Sequence, residues 1–265
     1  MSFFCWLVFS ADSKEAIKRT GRDARSTTAR RSIYVKLPED DDSELPEMTM
    51  DIVPVRIVSD KDTDPMIISD RELALWMDTY PNSQLADSAT RNSNSSYIVD
   101  RYHYKPLVKI FKAWKKVNIR SSKTPKGFVQ ECLTAKYHDP NTESWINAII
   151  ALFQQIVDEW PNPDILVSVP TVSDISNSSM VEIGLARAND LEAIKKFLNK
   201  VHAHLPILEQ AKQEEIDDDL EKAARTLQRI FGNDNDSITF PMPSDLQESA
   251  ITSSRSNVKE APPFA

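Results

Sequence analysis

The spacing of apolar residues changes once along this chain, near Tyr104, from a period of two to a helical period, and that switch constrains the fold more than any motif. Before it, apolar stretches are short. Ser32-Ile33-Tyr34-Val35-Lys36-Leu37 alternates as a half-buried strand should. An acidic loop is expected over 39–44, and 50–58 reads as one further strand in which Pro54 marks an edge or a bulge. The apolar run Phe3-Phe4-Cys5-Trp6-Leu7-Val8-Phe9 has the length of a signal-peptide core but no basic residue before it and no clear cleavage site after it. It is too short to cross a bilayer, which takes about 20 residues. Its aromatic and β-branched content favours a buried strand, with a secretory signal as the alternative. Residues 83–96 read as a short polar helix running into a loop.

Beyond Tyr104, Leu107, Ile110, Phe111 and Trp114 fall on one helical face, with Pro106 placed for a first turn. Phe128, Val129, Cys132 and Leu133 make a second such face. Trp145, Ile149, Leu152, Phe153, Ile156 and Trp160 make a longer third one, which Pro161-Asn162-Pro163 ends because proline cannot continue a helix. A short extended piece over 166–170 precedes two long helices, over 190–215 and 217–231. The second should turn Leu220, Ala223, Ala224, Leu227 and Phe231 inward, with Gly232 as its C-terminal cap. From Leu246 the chain is Ser-rich and weakly apolar, hence a disordered tail over 246–265. Strands in front and helices behind make a segregated α+β chain, divided at about residue 100.

Composition removes several function classes. The four glycines, Gly21, Gly127, Gly184 and Gly232, cannot spell GxGxxG or GxxxxGK[ST], so neither a Rossmann turn nor a Walker loop is present. A net charge of −8 gives no global electrostatic case for strong nucleic-acid binding. Cys5 and Cys132 are far apart and have no His or Cys at ligand spacing, so a disulfide framework and a zinc site are unsupported and a reducing cytoplasm is the default. His202 and His204 lie two apart on a helix and so point to different faces, while His103 and His138 stand isolated near loops. No metal or catalytic role is assigned to any of them.

Two features carry chemistry. Asp51 heads an apolar strand, where a buried carboxylate needs a partner. It reads either as a ligand for a divalent cation held on a rigid sheet or as a strand-end aspartate in water or capping a turn. The helix after Tyr104 carries Lys105, Lys109, Lys112, Lys115 and Lys116, followed by Arg120, Lys123 and Lys126. Ammonium groups suit phosphate oxygens as point charges; such a row can equally be a solvated face. Lys112 is distinct, because it lies between Phe111 and Trp114 beside the apolar stripe.

The ordered set Asp51-Ile52-Val53-Pro54, Ile68-Ser69-Asp70-Arg71, Trp76-Met77-Asp78-Thr79-Tyr80-Pro81, the run from Pro106 to Trp114, and Pro125-Lys126-Gly127-Phe128-Val129-Gln130-Glu131 resembles the C-terminal two thirds of a cGAS/DncV-like (oligoadenylate-synthetase-like) nucleotidyltransferase. The proline-rich stretch over 169–177 and the endings Ile230-Phe231-Gly232 and Phe240-Pro241-Met242-Pro243 are similar too, so the likeness runs over about 30–245. It implies a partial nucleotidyltransferase palm over 1–100 and a helical C-terminal domain over 101–245. In that family three carboxylates on a mixed sheet bind two Mg²⁺, with Mn²⁺ as the alternative, and a ribose hydroxyl attacks the α-phosphate of a nucleoside triphosphate in line. The resemblance makes Asp51 the third carboxylate, hence catalytic and metal-binding, and sets Lys112 on the donor phosphates. Lys126-Gly127 matches a position where a serine often holds the triphosphate; Gly127 has no hydroxyl, which leaves Lys126 and backbone N–H groups.

The likeness is incomplete at the front. No Gly-Ser pair occurs, and Asp40 and Asp42, which do spell D-x-D, sit in a hydrophilic run that reads as loop. The expectation is a chain beginning after the motif that supplies two of the three carboxylates. The implied function is synthesis of a cyclic or linear oligonucleotide messenger from nucleoside triphosphates in antiviral defence, with a regulatory protein as a further partner and no membrane. The alternatives are a nucleotide-binding or regulatory relative without turnover, and an inert remnant whose apolar terminal strand is left unpaired.

Overall fold

The computed structural model describes residues 2–5, 25–28, 33–36, 49–59, 61, 64–70, 74–119, 125–176, 181–186 and 190–232. The acidic loop with Asp40 and Asp42, the tail over 246–265 and the run from Phe240 to Pro243 lie outside them. The fold is α+β, in two compact units: Met1–Asp87 with Ser176–Ser178, and Ser88–Ile175 with Ser179–Ala265.

The first unit holds two sheets. Strands β1 (Ser2–Cys5), β2 (Arg25–Thr28), β3 (Ile33–Lys36) and β4 (Thr49–Ile52) form one sheet in the order β1-β4-β3-β2. β1 runs parallel to β4, and the other neighbours are antiparallel. Ile33 and Ile52 are cross-strand partners and both are buried. The described start of the apolar run is therefore paired on one side, with β4, and not left without a neighbour as the inert-remnant alternative requires; β1 is the outermost strand of its sheet.

The single strand expected over 50–58 is also corrected. β4 ends at Ile52, and β5 (Val55–Ile57) belongs to a second sheet with β6 (Met66–Asp70) and β7 (Leu75–Thr79), antiparallel throughout. Pro54 between them has no N–H to donate to a ladder, so the chain leaves one sheet and enters another instead of bulging. Helix α1 (Pro81–Ser93) starts two residues before the expected position, with Pro81 in its first turn.

The second unit is mostly helical: α2 (Tyr104–Asn118), α3 (Gly127–Tyr137), α4 (Trp145–Glu159), α5 (Leu191–Ile216) and α6 (Leu220–Phe231). Two small hairpins accompany them, β8 (Tyr97–Ile98) with β9 (Arg101–Tyr102), and β10 (Thr171–Ser173) with β11 (Glu182–Gly184). Side chains cap three helix starts: Ser144 accepts from the Asn147 N–H, Asp190 from Ala193 and Asp219 from Lys222. At the core, Phe111 stacks on Trp114 at 5.7 Å between ring centroids, and Trp114 meets Phe153 edge-on at 4.9 Å. Leu107, Leu133, Leu152, Ile156 and Phe197 close around them without exposure.

The last helix differs from its expected form. Asp217 and Asp218 make a turn, with Asp218 at φ +62°, and α6 starts only at Leu220. Its buried positions are Ala223, Thr226, Ile230 and Phe231, while Leu220 is half exposed. Thr226 turns inward because its hydroxyl donates to Glu214 of α5 at 2.6 Å. Gly232 does cap the helix, at φ +82°.

Candidate functional site

Burial of Leu107, Phe111 and Trp114 fixes the roll of α2, and that roll sorts its lysines. Lys105, Lys109 and Lys116 are exposed. Lys115 is partly covered, and burial pushes its ammonium pKa down. Lys112, adjacent to Phe111, has a side chain 35 % exposed and forms an ion pair with Glu131 of α3, itself 25 % exposed.

Gly127 begins α3 beside that pair. A methyl group in place of its hydrogen would sit 3.5 Å from Lys112 Cε and 3.6 Å from Nζ. The ammonium thus runs past the first turn of α3, over a face that has no side chain. Lys126, the residue before the helix, is extended (φ −74°, ψ 169°), and its carbonyl accepts from Gln130 N–H at 2.9 Å. The N–H groups of Gly127, Phe128 and Val129 have no intrahelical acceptor, and they add the positive end of the helix dipole to the cation beside them. The Gln130 amide, buried, donates to the Pro125 carbonyl at 2.9 Å and fixes the loop entering this turn. Two of the residues singled out in the sequence, Lys112 and Gly127, therefore stand together; Lys126 stands at the same helix start with an exposed side chain.

Glu131 was not singled out by sequence reasoning. The available signal is its spacing: it lies four residues after Gly127, on the same face of α3, in reach of a lysine on the neighbouring helix.

Asp51 lies on β4 in the first unit, with Phe4 of β1 and Tyr34 of β3 as its register partners. No acidic residue occurs at any position of β1 or β3. Among the described residues no group of three or more His, Cys, Asp or Glu could hold a metal ion. A two-metal centre needs more than one carboxylate to bind its ions. The described residues do not fit one.

The histidines form core and loop contacts. His103 is fully buried, with its ring nitrogens each 3.0 Å from a carbonyl, of Ser96 and Asp139. The expectation that it stands isolated is corrected: its ring centre lies 6.3 Å from that of His138, because α3 ends where α2 begins to pack. Burial lowers the His138 pKa. His202 bonds the Trp160 carbonyl at 2.7 Å. His204 Nδ1 accepts from the Trp114 indole N–H at 3.0 Å, and burial, with Lys200 adding to it, pushes its pKa down to about 4. Cys132 is buried and takes part in no disulfide among the described residues. No helix among the described residues is long and apolar enough to cross a membrane.

No protein-family profile matches the chain. It is 30 % identical over 207 residues to the cyclic AMP-AMP-AMP synthase of an Acinetobacter species, a match covering 78 % of this chain and 54 % of that protein. The chain thus spans about half the length of this curated relative. Among solved structures it is similar in fold to Escherichia coli DncV in a 3'-deoxy GTP bound form, with TM-score 0.58 and 13 % identity, covering 81 % of this chain and 53 % of the other. It is also similar to CdnC of E. coli MS115-1 in a complex with HORMA-deltaN, with TM-score 0.55 and 15 % identity, covering 78 % and 64 %. At those identities the two structures speak for the fold alone.

Proposed function

This chain belongs to the cGAS/DncV-like nucleotidyltransferase family, and from that premise we propose that the Lys112 ammonium and the first turn of α3 bind the triphosphate of a nucleoside triphosphate. One observation carries the reading: Lys112 Nζ lies 3.6 Å from where a β-carbon would stand on Gly127, which brings a cation and the free N–H groups of a helix start to one place. Phosphate oxygens accept from both kinds of donor. Lys126 adds a second ammonium at the rim.

The proposed reaction is the joining of nucleoside triphosphates into a cyclic or linear oligonucleotide messenger, in a defence role against viruses. ATP is the first nucleotide to test, since the curated relative is named for a product made of AMP units. Asp51 is proposed as a ligand for a divalent cation, Mg²⁺ or Mn²⁺. A regulatory protein partner is proposed from the complex in which the CdnC neighbour was solved.

A second reading, a nucleotide-binding or regulatory relative without turnover, is favoured by the strands beside Asp51, whose described residues carry no acid. Incubating the purified chain with labelled ATP and Mg²⁺ separates the two. Release of pyrophosphate supports synthesis and removes the second reading. Retention of ATP without release supports the second reading. Neither binding nor release would contradict both.

A further inference from the structure

The ion pair between Lys112 and Glu131 joins two helices at the helix start just described, and its partner carboxylate belongs to none of the roles assigned so far. We propose that Glu131 is a positioning residue: its carboxylate holds the Lys112 ammonium against the first turn of α3, over Gly127, so that the cation and the free N–H groups face one phosphate chain. This rests on the triphosphate reading of the same site.

Three observations support it. First, Gly127 and Glu131 are one helical turn apart on one face of α3, so a lysine reaching Glu131 from α2 must pass over Gly127; its Cε and Nζ do so, at 3.5 and 3.6 Å from where a β-carbon would be. Secondly, an ammonium has three donor hydrogens, and the bond to Glu131 uses one, leaving others for a ligand. A free lysine side chain samples many rotamers, whereas one tethered at its tip is already oriented when the ligand arrives. Thirdly, the pair is partly shielded, at 35 and 25 % side-chain exposure, so solvent screens it less than a fully exposed pair. A role confined to stapling α2 to α3 is less needed, because Phe111, Trp114, Cys132 and Leu133 already belong to one shared core. Protein kinases use the same device, a helical glutamate that aims a lysine at ATP phosphates.

The opposing effect is repulsion, since a carboxylate near bound phosphate raises its cost. A double-mutant cycle on the full chain decides between them, read by calorimetric titration with inorganic tripolyphosphate and by melting temperature. Glu131→Gln is expected to weaken binding about five-fold with an unchanged melting temperature, and to have no further effect once Lys112→Met is present. Glu131→Asp, which keeps the charge, is expected to recover part of the loss. Unchanged or tighter binding by Glu131→Gln, while Lys112→Met weakens it, would overturn the inference and leave the triphosphate reading standing. So would an equal loss with Met at position 112, or no recovery with Asp. Wild-type affinity in Lys112→Met would overturn the triphosphate reading and this inference together.

Discussion

Among the described residues, a β-carbon at Gly127 would meet only the flexible end of Lys112, at 3.5 and 3.6 Å, which is ordinary van der Waals contact. The backbone there is helical, so nothing in its conformation demands glycine. Gly127→Ser should therefore fold without strain, and its hydroxyl supplies a further donor beside the ammonium. Tripolyphosphate should bind about three-fold tighter, an increment of the size expected for one added hydrogen bond; titration of the variant beside the wild type checks it. His204 gives a prediction of another kind. In the fold its ring stays neutral down to about pH 4, whereas in the unfolded chain it protonates near 6.5. Between those values the unfolded state binds the extra proton, so stability is lost as pH falls through this window, by about 3 kcal/mol at most. His204→Gln keeps an acceptor for the Trp114 N–H and cannot titrate. Its melting temperature should fall less steeply between pH 6.5 and 4 than that of the wild type. Lys112 stood out in the sequence because it lies beside the apolar stripe of its helix, and Gly127 only through the family resemblance. Glu131 and His204 were not, because their partners lie 19 and 90 residues away on other helices.

The helices were legible as elements because burial on one face writes a 3.6-residue stripe into the sequence. That stripe prevailed over a breaker in α5, which continues through Pro206. The break at Pro54 was harder to read: a proline in a strand announces an interruption, but whether the chain bulges or changes sheets depends on strands distant in sequence. The turn between β8 and β9 gave no signal at all. Its residue Val99 has φ +50° and is 77 % exposed, where Gly or Asn is the usual occupant of a two-residue hairpin turn. A β-branched side chain in that conformation is strained by on the order of 1–2 kcal/mol. Val99→Gly relieves the strain and sacrifices little packing, so stability should rise by about 1 kcal/mol, allowing for the extra freedom glycine gives the unfolded chain. Urea unfolding monitored by circular dichroism checks it; a lower midpoint would show that Val99 is not strained there.

For the molecule as a whole, the single change of apolar period announces the α+β class; the compact units, Met1–Asp87 with Ser176–Ser178 and the remainder, do not divide where the period changes, since the second also holds the hairpins β8–β9 and β10–β11. Activity is less legible than fold, because it depends on carboxylates brought together in space. The sequence supplies Asp51 on a strand, but pairing decides its neighbours, and those are Phe4 and Tyr34. The central claim rests on the helical unit, where Lys112 and the start of α3 meet. Its most direct test is calorimetric binding of ATP to the full chain and to Lys112→Met, with melting temperatures measured on both. The expected result is saturable binding by the wild type and a loss of at least about ten-fold in the variant, at equal thermal stability, in keeping with removal of a charged hydrogen bond. Equal affinity in the two proteins, or no binding by a folded wild type, would contradict it.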